Sequence, residues 1–420
     1  MTSPTSNSKV RDRGFLVFAS AKSTSQLGAM VIDIVVPLIA ATTLHAKPFA
    51  MGLLVATGPA ATLVGRLVGA LAADGSQPRL LLIATLSLTR AIILLLIPLL
   101  FLTHFLAYPG LLAISAAIAA ISGIRGGFAT SLPRLLVPES QLTGANGLAG
   151  SLDSTVQVAA PGILSIFLRF ASLPFGILID AACSLVAAFL YGYLGHTHRF
   201  PEVEARTASA PRPSRKALLL PFLTAFGNEA RPLLALLFVV TLLNGAVLAE
   251  LTFYMVHNLG LAPYLVSLIT AAGALGGVGA GLLVGPFAAR HGWRTVTRIG
   301  LVLLSLSMIA LPFASELGWG VFCCMIYELF GSFGGTLTII SIFSWLQANL
   351  PYEHLARGIA GAALIPELGQ VLGALVGATL AGLFGVRSLL IGVATLSMLA
   401  GSATLWKRGK PPACSTVSLR

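Results

Sequence analysis

Residues 80–102 read LLLIATLSLTRAIILLLIPLLFL, an apolar stretch in which Arg90 is the one charged side chain. About 20 mostly apolar residues are enough for an α-helix to cross the hydrocarbon core of a bilayer. The stretch therefore predicts a transmembrane helix, and eleven further stretches have a similar length and composition. The twelve predicted spans cover residues 16–43, 49–72, 80–102, 108–132, 144–168, 172–195, 232–256, 263–288, 297–315, 318–346, 358–384 and 387–406.

The composition of the whole chain excludes an ordinary soluble enzyme. Of its 420 residues, 56% are hydrophobic and 10% are charged, whereas soluble proteins carry about 25% charged residues. The sequence has no Walker lysine, no GxSxG or HExxH motif and no His/Cys set with metal-site spacing. We therefore expect an all-α membrane protein that is not an enzyme and has no cofactor or metal.

The basic residues predict how the chain is oriented. Their excess gives a net charge of +12, but they are concentrated in alternate connections between spans. If the N-terminus is cytoplasmic, the outer segments hold Lys47, Arg169 and Arg387, the spans hold Lys22, Arg66, Arg90 and Arg125, and the cytoplasmic segments hold all the others. This bias predicts a protein of the inner membrane with both termini in the cytoplasm. We expect the basic charge to attract anionic membrane lipids rather than nucleic acid.

The two halves of the chain resemble each other. Residues 135–157 read LLVPESQLTGANGLAGSLDSTVQ and residues 348–370 read ANLPYEHLARGIAGAALIPELGQ. A shift of 213 positions superposes Pro138 on Pro351, Leu142 on Leu355 and Gln157 on Gln370. Such duplication predicts two pseudo-symmetric bundles of six helices, with a substrate site near mid-membrane at their interface.

A segment rich in proline and charge separates the sixth span from the seventh and is interpreted as a linker. The predicted division is a cytoplasmic N-terminal segment over 1–14, a bundle over 15–195, a cytoplasmic linker over 196–231, a bundle over 232–406 and a basic cytoplasmic tail over 407–420. We expect a monomer.

Three stretches carry a resemblance to the major facilitator superfamily, which extends over about residues 14–406. They are Ser25-Gln-Leu-Gly28 followed by Pro37 and Gly52, Leu132–Pro138 leading to Leu142–Asn146, and Leu346–Pro351 leading to Arg357-Gly358. Within the superfamily, the chain resembles the twelve-helix drug and siderophore exporters related to the enterobactin and macrolide efflux proteins. The resemblance implies proton-coupled antiport of small amphipathic molecules out of the cell, by alternating access.

Charged residues inside the spans are the candidate functional residues. An ionisable side chain at the centre of a bilayer is costly and usually faces a cavity or a partner. In the superfamily, the first helix of each three-helix repeat lines the central cavity; here these are spans one, four, seven and ten. They carry Asp33, Arg125, Glu250 and Glu328, which we expect to form the substrate cavity and to couple transport to protons.

The proposed coupling follows from the chemistry of carboxyl groups. A carboxyl group that is shielded from water and close to other carboxyls can exchange a proton near neutral pH, and a cationic substrate would expel that proton. We expect Tyr254 and Tyr327 to add aromatic surface to the cavity. Asp153, Asp180 and Glu367 are interpreted as members of static ion pairs between helices.

The connections after spans two and eight are predicted to act as a gate. In the superfamily, the first of them holds the inward gate closed through charge pairing and a helix dipole. Asp74, Arg79, Arg290 and Arg294 are the candidate gate residues. The motif departs from the family pattern, because Ala73 stands at or beside the position of the usual aspartate.

Two alternatives to an exporter remain open at this point. The same scaffold serves uptake permeases for polar metabolites, and the fold does not decide the direction of transport. A scaffold or lipid-handling protein without transport activity is the other alternative; it would tolerate neutralisation of the three cavity acids.

Overall fold

Twelve long α-helices make up the part of the chain that the structure, a computed structural model, describes. That part comprises residues 13–73, 79–129, 132, 136–137, 142–197, 231–314, 316–349 and 352–406. The first six helices are α1 Arg13–Thr42, α2 Pro48–Ala73, α3 Arg79–Leu102, α4 Tyr108–Ala129, α5 Leu142–Phe167 and α6 Ile177–Thr197. The other six are α7 Arg231–Phe253, α8 Pro263–His291, α9 Trp293–Ser307, α10 Leu317–Asn349, α11 Tyr352–Phe384 and α12 Val386–Trp406. We call α1–α6 the N-half and α7–α12 the C-half.

The helices agree with the twelve predicted spans, and the differences have local causes. The helix α6 begins at Ile177 rather than at 172, because the 3₁₀ turn Leu173–Gly176, with Pro174 in its first turn, precedes it. The helix α9 ends at Ser307 and continues as a 3₁₀ turn to Phe313. The helix α7 is extended by a π-helical turn over Tyr254–Asn258.

The helices have the length and the surface of membrane spans. Ten of them, some extended by a terminal turn, are long and apolar enough to cross a membrane. Large apolar side chains such as Phe105, Phe189 and Leu282 point outward, each more than 70% exposed, as expected of a surface that contacts lipid rather than water. The chain is a multi-pass membrane protein, and the predicted all-α fold with twelve transmembrane helices in two bundles is confirmed.

Two glycines provide tight connections between helices. Gly292 is the single residue between α8 and α9, and Gly385 is the single residue between α11 and α12. Their φ angles are 77° and 84°, a conformation that glycine adopts much more readily than residues with a Cβ. The one-residue connection therefore keeps the adjoining ends of each pair of helices close together.

Glycines also allow helices of one half to pack closely. Gly369, Gly373 and Gly377 lie on the face of α11 that contacts α7, and a Cβ on Gly373 would collide with the backbone carbonyl of Leu242. In the N-half, Gly65 of α2 lies equally close to the backbone of α4. Spacings of four residues between small side chains are typical of such close contacts between membrane helices.

Three of the described contacts between the two halves lie towards one face of the bundle. Because consecutive helices alternate in direction, α1 begins and α12 ends at the same face, which we call the terminal face; the other is the opposite face. Near the opposite face, Gly52 of α2 packs against Ala378 of α11. There too, Ser165 of α5 donates a hydrogen bond to the carbonyl oxygen of Tyr264 at 3.0 Å, and Ser267 of α8 donates one to α5 at 2.7 Å.

Candidate functional site

A cavity of about 750 Å³ lies between the two halves, within the range of about 300–1,000 Å³ that is usual for small-molecule sites. The N-half contributes residues of α1, α2 and α5 to its wall, and the C-half contributes residues of α7, α8, α9, α10 and α11. Most of the wall is apolar. The charged side chains among the described residues that line it are Asp33, Glu328 and Glu367, so the described lining carries acidic groups and no basic one.

Asp33 and Glu328 reach the cavity from different halves. Asp33 lies on α1 and its side chain is exposed to the cavity, whereas Glu328 lies on α10 and is partly buried. The Oε2 atom of Glu328 lies beside α8, where a Cβ on Gly273 would approach it to 2.5 Å. Neither carboxyl group has an ion-pair partner within the described ranges. Both groups are therefore available to a proton or a cation.

Tyr327 and the two superposed glutamines also line the cavity. The Tyr327 hydroxyl donates a hydrogen bond of 2.7 Å to Oδ1 of Asn244, another lining residue. Gln157 on α5 and Gln370 on α11 occupy equivalent positions of the two halves, and both belong to the wall. The match between residues 135–157 and 348–370 was the sequence signal that could have identified these glutamines as site residues.

Arg125 lies inside the N-half, outside the described lining of the cavity. Its guanidinium donates hydrogen bonds to Ser25 of α1 and to Ser87 of α3, the latter at 3.2 Å. Beside it, Arg90 and Asp180 form an ion pair of 2.5 Å, with 2% and 0% of their side chains exposed. Together these polar contacts join α1, α3, α4 and α6 into one body behind the cavity.

Glu250 and Tyr254 stand behind the cavity wall on the C-half side. Glu250 is fully buried, and neither carboxylate oxygen has a hydrogen-bond partner in the described part of the chain. Its neighbour Leu251 lines the cavity, but Glu250 does not belong to the described lining. Tyr254 is also buried, and its hydroxyl donates a 2.5 Å hydrogen bond to the carbonyl oxygen of Ala314.

The sequence of residues 18–365 matches the model of the Major Facilitator Superfamily. The chain belongs to the major facilitator superfamily. It is therefore a membrane transporter, and members of this superfamily move small molecules. No protein with a curated description matches it by sequence.

Several solved transporter structures share the fold of this chain. A structure of the nucleoside transporter NupG superposes with a TM-score of 0.71 at 14% identity, covering 94% of this chain and 98% of that one. A bacterial homologue of the human lysosomal transporter Spinster, in an inward-facing and occupied conformation, superposes with a TM-score of 0.69 at 14% identity. The match covers 95% of this chain and 97% of that one. A POT family transporter in complex with a thioalcohol-conjugated peptide superposes with a TM-score of 0.71 at 15% identity. The match covers 94% of this chain and 95% of that one. At these identities the likeness shows the fold alone.

The predicted gate of this superfamily member is only partly described. Asp74 lies outside the described residues, and of Arg79 the structure describes the position at the start of α3 but not the side chain. Arg290 is exposed at the end of α8. Arg294, at the start of α9, has its guanidinium 5.6 Å from the centre of the Trp293 ring. Both arginines lie at the terminal face.

Glu367 is the cavity residue that sequence reasoning placed among the static ion pairs. It does pair with a basic residue, Arg66 of α2, but its side chain also lines the cavity. The two other acids interpreted in that way are paired within the N-half, Asp153 with Lys22 at 2.7 Å and Asp180 with Arg90. Glu367 differs from them because its partner belongs to the other half.

Proposed function

We propose that the chain exports small amphipathic cations by proton antiport with alternating access. The proposal places it in the drug or siderophore-like exporter group, in the inner membrane with both termini in the cytoplasm. It keeps the division into bundles over 15–195 and 232–406, with the linker 196–231 between them. The uneven distribution of basic residues supports this orientation.

One observation carries the proposal: Asp33 and Glu328 face one largely apolar cavity from opposite halves, without ion-pair partners in the described ranges. In a site of low dielectric constant, a carboxylate strongly favours a cationic partner. An amphipathic cation matches both the apolar wall and the acidic groups. A proton and a substrate cation compete for the same carboxyl, so that binding of one releases the other.

The arrangement of the halves supports alternating access. Their described contacts through Gly52, Ser165 and Ser267 lie near the opposite face, and we infer that they close the cavity towards that side. If the terminal face is cytoplasmic, this arrangement is the one in which the cavity would load from the cytoplasm. Rocking of the two halves would then expose Asp33 and Glu328 to the outside.

The direction of transport is tested in inside-out membrane vesicles, with the cation tetraphenylphosphonium as a probe. Its permanent charge prevents trapping by the pH gradient alone, and potassium with valinomycin clamps the membrane potential near zero. With an acidic lumen, vesicles that contain the protein should accumulate the probe several-fold over vesicles without it. Accumulation only when the outside of the vesicles is the acidic side would indicate proton symport and support an uptake permease instead, and no accumulation with either pH gradient would contradict transport of such cations.

Glu250 is proposed as a third proton-carrying group, beside Asp33 and Glu328. An unpaired carboxylate buried in this position would be strongly unfavourable, so we infer that Glu250 is neutral in this arrangement. Glutamine has nearly the same shape and is also neutral. Glu250→Gln should therefore bind the probe as the wild type does, but lose proton-driven accumulation.

The two readouts are equilibrium binding of tetraphenylphosphonium to the purified variant and the vesicle assay above. The matched control is Glu316→Gln, which makes the same substitution in the connection before α10 and should change neither. A Glu250→Gln variant with undiminished proton-driven accumulation would assign Glu250 a purely structural role.

A further inference from the structure

We propose that Glu367 is a further cation-binding group of the transport pathway, which Arg66 occupies until a substrate cation displaces it. The inference rests on the proposed transport of cations and adds to it a residue and an order of events. In this view Arg66 acts as an internal substitute for the substrate. Loading of the cavity then breaks an ionic link between the two halves.

The position of the ion pair distinguishes it from the others that the structure describes. Lys22–Asp153 joins α1 to α5 and Arg90–Asp180 joins α3 to α6, both within the N-half. The pair between Nη1 of Arg66 and Oε1 of Glu367 joins α2 to α11 and thus links the halves. Its acidic member lines the cavity, whereas Arg66 is not part of the described lining.

Glu367 lies nearer the terminal face than the two unpaired acids do. At ~1.5 Å per residue, Glu367 is ~26 Å along α11 from its end at the opposite face, Phe384. By the same count, Asp33 is ~14 Å from the end of α1 and Glu328 is ~17 Å from the start of α10. A cation that enters from the terminal face would therefore meet Glu367 before it reaches Asp33 and Glu328.

The environment of the pair permits exchange. The side chains of Arg66 and Glu367 are 51% and 27% exposed, and ion pairs with this degree of exposure contribute little to stability. Pro366, the preceding residue, also lines the cavity. A proline inside a helix removes one backbone hydrogen bond, so α11 has a local weak point directly beside Glu367. A substrate cation can take the place of the guanidinium without disrupting the core.

Exchange has a consequence for the two halves. Near the opposite face, α2 and α11 touch directly through Gly52 and Ala378; at the depth of Glu367, the ion pair bridges the same two helices. When a ligand cation neutralises Glu367, the attraction between Arg66 and α11 is lost. Substrate loading thus removes one of the interactions that hold the halves in this arrangement.

The test is equilibrium binding of tetraphenylphosphonium to the purified full-length protein in lipid nanodiscs. Arg66→Met removes the competing cation and should tighten binding roughly three- to tenfold, a size typical of one partly solvated charge interaction. Arg66→Lys keeps a competitor and should bind as the wild type does. Glu367→Gln should weaken binding by a similar factor. In the Glu367→Gln background, adding Arg66→Met should not increase the affinity for tetraphenylphosphonium.

The matched control is Lys22→Met, which removes the same charge from an ion pair within the N-half and should leave the affinity unchanged. Equal tightening in Lys22→Met and Arg66→Met would show a general electrostatic effect and overturn the inference, as would an unchanged affinity in Arg66→Met. If Arg66→Met does not fold, Arg66→Gln makes the same comparison. Failure of the proposed function is distinguishable, because binding would then be insensitive to Asp33→Asn and Glu328→Gln in the wild-type background.

Discussion

Replacing Asp33 by asparagine should reduce proton-driven transport of tetraphenylphosphonium by about 100-fold or more, since a charge interaction at ~4 Å in a partly shielded site is worth about 4 kcal/mol. Asp33 lies on the cavity wall without an ion-pair partner in the described ranges. Asparagine keeps the shape of the side chain but can neither carry the negative charge nor release a proton. The variant should therefore lose both cation binding and coupling.

The vesicle assay checks this result, together with one conservative variant of Asp33 and one matched control variant. Asp33→Glu retains the carboxyl group and should keep a measurable part of the activity. Asp153→Asn is the matched control, because it makes the same substitution in the same half on an acid that pairs with Lys22 and is not part of the described cavity lining. Full activity of Asp33→Asn would remove the basis of the proposed function.

Replacing Asp180 by alanine should destabilise the protein by about 3–5 kcal/mol, the usual effect of removing one member of a buried ion pair. The substitution leaves the Arg90 guanidinium fully buried without its carboxylate. It also removes the acceptor of a 3.2 Å hydrogen bond from Ser184. Because Arg90 and Asp180 hold α3 against α6 inside the N-half, we expect this half to lose its native packing.

The measurement is the thermal unfolding midpoint and the yield of monodisperse protein after extraction in mild detergent. Combining Arg90→Met with Asp180→Leu should recover much of the loss, because apolar side chains of similar size often replace a buried pair at little cost. Breaking the more exposed pair through Asp153→Ala should cost at most about 1 kcal/mol. An Asp180→Ala variant as stable as the wild type would show that the buried pair is not needed for the fold.

The sequence predicted the helices well because hydrophobic length is a local property. The helix α11 begins at Tyr352, six residues before the predicted span. The predicted span began where the sequence becomes continuously apolar. The polar residues before it can continue the helix, since they lie at the terminal face beyond the apolar core.

The candidate site was harder to predict, because it depends on the rotation of each helix. Consecutive residues of an α-helix differ by about 100° in direction, so a residue on a cavity-lining helix can still face away from the cavity. Glu250 and Leu251 show this: Leu251 lines the cavity and Glu250 lies behind its wall. Asp33 and Glu328 do face the cavity, whereas Arg125 is turned into the N-half.

Glu367 could not have been assigned to the cavity from its own helix alone. Its carboxylate is held by Arg66 of the other half, so its surroundings depend on how the two halves dock. Arg66 and Glu367 are 301 positions apart in the sequence. The charges within single spans do not predict a contact over such a separation. The superposed glutamines were a better signal, because equivalent positions of a duplicated chain tend to have equivalent places about the axis between the halves.

The single-glycine connections at Gly292 and Gly385 restrict how the C-half can deform. One residue spans about 3.8 Å between successive Cα atoms, too little for one helix of a hairpin to slide by a turn past the other. Each of the hairpins α8–α9 and α11–α12 should therefore tilt as a rigid unit. We expect any sliding that accompanies transport to take place between these hairpins and their neighbours. Cross-linking of cysteine pairs introduced across the α5–α8 contact would report such sliding.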